Sequence, residues 1–579
     1  MAGIFSVIKS LLSYKEPQNV NSNFELLESG DDKKNPGKSQ EEHIDINCPK
    51  ANNKEDKHAK GIKFPLKVEE WNEHKKAPET CPPTVNLNVV SCDLCVNIEL
   101  LKKRFNLPKN QAIILREFKI AKKVRALIVF MDEMIDKKIV NRDILPNLMS
   151  KDSFDELGEE NLLTYIIESV LSVSSVTKDK TFDTIIHQII AGSTALFVDG
   201  YDECLLIQTK GYEKRAIDKP LTETVIKGAQ EGFTENLKTN LSLLRRIIRS
   251  ENLVSEIVQV GNVNKINCAV MYMDSIVNPD LVMEVKRRLS AINTDYILGD
   301  GMVEQFLEDN SYTLFPQTLS TERPDRTSSF LMDGQVVIIT DGTPFALAVP
   351  VTFYQLLQTS EDSFLRWPYG SFLRLIRVLG TLIAAFLPGL YVALILYHQE
   401  MIPTELLSTI ARSKEEVPFP TVIEILMMEF AFELIREGGI RIPGVIGQTL
   451  GIVGALILGQ AAVAAGLVSP ILIIIVSVTG LGSFVIPNYS LSLGIRIIRF
   501  IYIIFGALAG FYGISAAIVL TGGIMCSIKS FGVPFFSPVA PKTKLNPDLI
   551  LRAPVWMQKI RPDYLNTQTR KKSDNTKER

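Results

Sequence analysis

Two regimes of hydrophobic patterning divide the chain. Between about residues 96 and 370, apolar positions come in short runs separated by polar and turn-forming residues. From residue 442 to residue 526 the sequence is almost continuously apolar. Residues 444–467, 469–486 and 497–526 each meet or approach the ~18–20 apolar residues that carry a helix across a bilayer, and residues 378–397 do the same. The pattern predicts an integral membrane protein in which a large polar region precedes a helical bundle.

Within the polar region the periodicity switches repeatedly. The run VRALIVFM over 124–131 has the β-branched density of a buried strand. Residues 194–198 and 204–208 flank Asp199-Gly200-Tyr201-Asp202 and read as a hairpin, and the device recurs where 335–339 and 345–349 flank Asp341-Gly342-Thr343-Pro344. Phe233, Leu237, Leu241, Leu244 and Ile248 form one apolar helix stripe. Residues 268–273 read as a strand, and Asn278-Pro279 has the form of an N-cap and first helical position. The expected fold is an α/β cytosolic N-terminal region of two mixed subdomains plus an α-helical transmembrane bundle. The expected division is a disordered extension over 1–95, soluble subdomains over 96–190 and 191–370, a membrane domain over 371–527 and a cytosolic tail over 528–579.

Charge and cysteine content sharpen the compartment. A net charge of −2 gives no reason to expect nucleic acid as partner. The seven cysteines are scattered and suit a reducing environment. Residues 1–14 lack the basic start and cleavage site of a signal peptide, and read either as a short surface helix or as a loose terminus. With Arg366, Arg374 and Arg377 ahead of the first span, the soluble region is expected in the cytosol.

In the membrane half, Gly447, Gly451 and Gly459 lie at four-residue intervals with Ala455, and Gly506 and Gly510 repeat the spacing, which permits close helix packing or oligomerisation. Residues 421–437 are apolar enough for a membrane yet hold Glu424, Glu429, Glu433 and Glu437, the last three on one helix face. Such a face can line a cation path or vestibule. It can equally belong to a surface helix whose acids meet water, or pair with Arg436 and Arg441. The charge rule favours four spans plus one interfacial or re-entrant helix over 421–437, with Arg496 and Arg499 left outside as the cost.

No phosphate-binding loop or nucleophile elbow occurs, so no enzyme is expected. Cys92-x-x-Cys95, with His74 and Cys81 upstream, lacks the second ligand pair of a zinc site, and no metal or cofactor is expected. His58, His187 and His398 are isolated and read as structural or solvent-facing.

Several strings taken together resemble the A subunits of GerA-type spore germinant receptors. They include LFVDGYDECLLIQTKGYEKRAI from Leu196, GFTENLKTNLSLLRRII from Gly232, ERPDR from Glu322 and MDGQVVIITDGTPFALAVP from Met332. In the membrane half they include EFAFELIREGGIRIP from Glu429, GALILGQAAVAAGLVSP from Gly454, FVIPNYSLSLGIRIIRF from Phe484 and PFFSPVAP from Pro534. The resemblance spans roughly residues 162–562 and excludes the N-terminal extension. It implies a subunit of the spore inner membrane that oligomerises into a germinant-gated monovalent cation channel, with its soluble domain facing the spore core. The implied partners are a transporter-like B subunit and a lipoprotein C subunit. Sporulation proteins similar to stage V sporulation protein AF share the same strings. Glu429 and Glu433 are the expected pore or vestibule residues, and Arg323 and Asp325 are expected at a soluble–membrane junction or in a local turn salt bridge. The rival readings are an autonomous transporter, disfavoured by the lack of internal repeats among the spans, and a non-conducting scaffold.

Overall fold

The structure, a computed structural model, describes residues 88–154, 161–173, 175–211, 219–220, 222–441, 459–543 and 548–572. The N-terminal extension up to residue 87, Gly447 and Gly451 lie outside the described residues, as does the side chain of Arg441. The chain divides into two compact units, one holding residues 30–213 and 248–256, the other 214–247 and 257–579.

The first unit is built on an antiparallel sheet of β1 (Ile113–Ile120), β2 (Val124–Met131), β3 (Val176–Asp179), β4 (Ser193–Val198) and β5 (Cys204–Gln208), in the order β1-β2-β4-β5-β3. The uninterrupted apolar run of β2 follows from burial on both faces. Leu127, Val129 and Met131 enter a core with helices α1 (Leu94–Arg104) and α2 (Phe182–Ile190). Ala126, Ile128 and Phe130 enter the opposite core, with Ile144, Leu148 and Ile166.

A second sheet, most of it within the second unit, repeats this plan. Strands β6 (Leu253–Val260), β7 (Ile266–Met273), β8 (Leu319–Thr321), β9 (Val336–Thr340) and β10 (Ala346–Val349) are ordered β6-β7-β9-β10-β8, the same permutation as the first sheet. Both final hairpins turn on an Asp-Gly pair, with Gly200 at φ +87° and Gly342 at φ +88°, where a side chain would be strained. The long amphipathic helix appears as α3 (Leu237–Ile247). Phe233 is buried but precedes it, because the helix starts where the Asp341 carboxylate accepts the Leu237 N–H at 3.2 Å. Asn278 caps α4 (Pro279–Ala291) as its sequence suggests, accepting from the Asp280 N–H at 3.0 Å. Helices α5 (Asp300–Leu307) and α6 (Pro324–Asp333) complete this part of the unit.

The longer helices that follow among the described residues include α7 (Trp367–Tyr397), α8 (Thr404–Lys414), α9 (Thr421–Arg441), α10 (Pro470–Phe484) and α11 (Tyr489–Ser527). Among the described residues α7 and α11 are long and apolar enough to cross a membrane. The sequence pattern treats 497–526 as one crossing, but α11 is two arms. Its backbone leaves helical geometry at Ala509 and at Gly510, φ +58°. The arms then fold against each other, with the Tyr502 and Thr521 hydroxyls 2.6 Å apart. The first arm, at about 1.5 Å per residue, is roughly 30 Å long, enough for one crossing. Imidazole Nε2 of His398 accepts the Phe511 N–H at 3.3 Å, satisfying a donor freed where the second arm begins.

After α11 the chain returns to the second sheet's surroundings. Phe353 packs on Phe535 and Phe536, Arg561 Nε donates to the Met332 carbonyl at 2.9 Å, and Gln568 Nε2 donates to the Val277 carbonyl at 2.8 Å. Near the β8 entry, burial, reinforced by the neighbouring Glu304 charge, pushes the Glu308 carboxyl up to about 7. A carboxyl raised on folding stabilises the fold below its unfolded pKa, near 4.5, and loses that contribution as pH rises through 7. Glu308→Gln should therefore raise the melting temperature of the detergent-solubilised chain at pH 8 and leave it unchanged at pH 4. Parallel melting curves at all pH values would show that Glu308 is not the titrating group.

Candidate functional site

The acidic helix α9 turns two of its four carboxylates, Glu424 and Glu429, inward. Ile423, Phe430 and Leu434 are exposed, whereas Glu424 and Glu429 are buried, Glu429 to 2%. This is the reverse of a surface helix whose acids meet water. The four glutamates do not act as one face. Glu424 accepts from the Ser469 N–H at 3.2 Å and so sits at the N-terminus of α10, where a carboxylate complements the unpaired amides. Glu437 is exposed near the other end of α9.

Glu429 and Glu433 face the first arm of α11, and their partners are Arg499 and Arg496. Arg499, 1% exposed, donates to Glu429 through Nη1. Arg496 Nη1 donates to Glu433 at 3.1 Å, and Arg436 binds the same carboxylate from three residues along α9. Arg436 also lies over the Phe432 and Phe484 rings, 5.8 Å from each centroid. The sequence names Arg436, with Arg441, as one alternative partner of these acids and reads Arg496 and Arg499 only as topology signals; Arg496 and Arg499 are the ones reaching across helices.

A third helix joins through a proline. Pro388 inside α7 has no N–H, so the carbonyl four residues earlier, Ala384, lacks its helical donor. Arg499 Nε donates to that carbonyl at 3.0 Å. One guanidinium thus ties α7, α9 and α11 together. The ladder is unevenly satisfied: Glu429 Oε1, Arg499 Nη2, Arg496 Nε and Arg436 Nε and Nη1 are buried without a hydrogen-bond partner.

Glycines bring these helices into backbone contact. A Cβ on Gly506 would lie 2.7 Å from the Gly389 carbonyl, and one on Gly482 would lie 2.7 Å from that of Gly380. Gly459 faces the Ile473 side chain, and Gly510 sits in the turn of α11, where a Cβ would lie 3.0 Å from Tyr397 and from His398.

Arg323 and Asp325 form a local pair at the start of α6, at 2.8 Å. Arg323 also donates to the Glu223 and Ala229 carbonyls, holding that loop. Neither touches α7. The junction with the first long helix is instead made by Asp362, fully buried, which accepts from Arg377 Nη1 at 2.8 Å and Arg374 Nε at 3.0 Å. Burial alone would raise this carboxyl, but the two guanidiniums outweigh it and hold it below the usual carboxylate range. Among the described residues no group of three or more His, Cys, Asp or Glu side chains could hold a metal ion.

The Bacillus/Clostridium GerA spore germination protein family matches residues 99–564, and the chain belongs to it. Spore germination protein KA of Bacillus subtilis (strain 168) is 39% identical over 483 residues, covering 83% of this chain and 88% of that protein. Spore germination protein GerLA of Bacillus cereus is 38% identical over 445 residues, covering 77% and 90%. The crystal structure of the N-terminal domain of the A subunit of the Bacillus megaterium spore germinant receptor GerK3 is 30% identical. It covers 46% of this chain and 97% of that one, with a TM-score of 0.37.

The shared role of Arg499 predicts coupling between helices. Arg499→Gln should destabilise the chain by about 3–5 kcal/mol, since Glu429 is left buried and uncompensated. Pro388→Ala restores a helical donor to the Ala384 carbonyl, so the double variant should lose less than the sum of the two singles, by about 0.5–3 kcal/mol. Unfolding in detergent measures both. Strict additivity would mean that the carbonyl contact contributes nothing.

Proposed function

We propose that the chain is the A subunit of a nutrient germinant receptor, oligomerising in the spore inner membrane into a germinant-gated channel for monovalent cations. A transporter-like B subunit and a lipoprotein C subunit complete the receptor, and the soluble region faces the spore core. Membership of the GerA family supports the class. The observation that carries the channel reading is a buried Glu429 and a partly exposed Glu433, both facing α11, beside an apolar outer face of α9.

The geometry favours α9 as a crossing helix rather than an interfacial one. Glu424 lies by Ser469, Phe432 packs on Gly480 and Arg436 lies over Phe484, so α9 runs alongside α10 in the same direction. In the present conformation both acids are compensated by arginines, three guanidiniums against two carboxylates, and we read it as closed. The unpartnered donors favour exchange between pairings over a saturated lock, and exchange is what opening requires. The tight glycine contacts suit a bundle, and the exposed apolar faces outside it suit lipid and neighbouring subunits.

A paralogue similar to stage V sporulation protein AF, or a scaffold, predicts different electrical behaviour. Bilayer recordings from the reconstituted oligomer should show cation-selective openings. Glu433→Gln and Glu429→Gln should each lower the cation-to-anion permeability ratio by roughly an order of magnitude, because each removes a carboxylate from a site that holds three guanidiniums. Silent bilayers favour the scaffold. Unchanged conductance and selectivity in both variants remove these acids from the ion path, and solute uptake without conductance favours a carrier.

A further inference from the structure

The segment after Asp548 is unlike a solvated tail. Residues 549–562 read LILRAPVWMQKIRP, without one acidic residue. Val555, Trp556, Met557 and Ile560 are each more than half exposed, Trp556 to 56%, and Leu551 joins them. An apolar cluster of this density facing water is a recognition surface unless something covers it.

Its position says what covers it. Arg552 is pinned to the start of α7: its N–H donates to Ser371 Oγ at 3.1 Å, that hydroxyl donates to the Arg552 carbonyl at 3.1 Å, and its guanidinium donates to the Ser363 carbonyl at 3.0 Å. Asp548 binds Arg374 at 2.7 Å. The outer face of α7 is an exposed apolar stripe of Tyr369, Phe372, Ile376, Leu379 and Leu382, at spacings of three, four, three and three. That stripe runs unbroken from the apolar centre of the helix to the turn that holds Arg552. The lipid-facing surface therefore reaches the level of the 550–560 segment. Tryptophan favours the headgroup boundary, and an acid-free segment with an exposed lysine suits anionic headgroups.

We propose that residues 550–560 are an interfacial membrane contact, an apolar strap whose Val555, Trp556 and Met557 enter the headgroup–acyl boundary of the leaflet on the sheet side, with Lys559 directed to anionic lipid. The occupant is lipid. The contact depends on α7 crossing a bilayer and is independent of whether the protein conducts.

The full chain holds three tryptophans, so Trp71→Phe with Trp367→Phe leaves Trp556 as the sole reporter. Reconstituted into vesicles of mixed zwitterionic and anionic phospholipid, Trp556 should be quenched roughly two-fold by acyl chains brominated near the carbonyl end, and shielded from acrylamide. Lys559→Glu should weaken that quenching on anionic vesicles and leave it unchanged on purely zwitterionic ones. Free access to acrylamide without bromolipid quenching overturns the proposal. So does shielding without bromolipid quenching accompanied by Trp556→Cys cross-links between copies, which would assign the surface to a second subunit. A companion chain retaining Trp367 alone checks the level of α7; absence of quenching there overturns the premise, whatever the conductance recordings show.

Discussion

The helical half of this protein depends on one guanidinium. Arg499 is buried within a helix long and apolar enough to cross a membrane, a setting in which an ionised group is tolerated only with partners supplied. It finds a carboxylate on α9 and a carbonyl on α7 that Pro388 has deprived of its helical donor. Neither partner is available without the other's helix in place. Remove the proline and the carbonyl closes on its own helix; remove the glutamate and the charge has no counterion. The glycine contacts of Gly389 with Gly506 and of Gly380 with Gly482 bring the backbones near enough for the side chain to reach both. Packing and electrostatics here specify the same arrangement, the kind of agreement between levels that marks a well-defined fold.

That arrangement changes what the acidic helix means. A row of glutamates in an apolar segment suggests attraction of cations, yet here Glu429 and Glu433 each already have an arginine. Net charge at the ladder is positive rather than negative, counting Arg436, Arg496 and Arg499 against Glu429 and Glu433. A path for cations along this face requires the pairs to part first. The same residues that suggest permeation therefore suggest its control.

Much of the α/β region was legible because its signals are local. The run of β2, the two Asp-Gly turns and the Asn-Pro start of α4 each depend on a few neighbouring residues, and each is found where the pattern places it. What could not be read was whatever depends on partners distant in the chain. Arg496 and Arg499, three apart in an apolar helix, were a visible signal, but their matching to Glu433 and Glu429 needs the fold. Pro388 was equally visible, and the carbonyl it frees was the missing clue. The turn at Ala509–Gly510 was hidden because glycine is common in membrane helices and the apolar run does not pause there. The identical strand permutation of the two sheets was hinted at only by the recurrence of the hairpin turn.

The folding back of α11 has a mechanical consequence. Because its second arm returns the chain to the end at which α7 began, the second sheet is joined covalently to the helices at two places. One is the Asp362 junction before α7; the other is the tail that carries Arg561 and Gln568 back onto the sheet's surroundings. Sheet, first helix and last helix thus form a closed linkage rather than a domain hung from a single tether. In such a linkage a tilt of the sheet cannot be absorbed by one flexible joint, and must appear as relative motion of α7 against α11, the two helices bridged by Arg499.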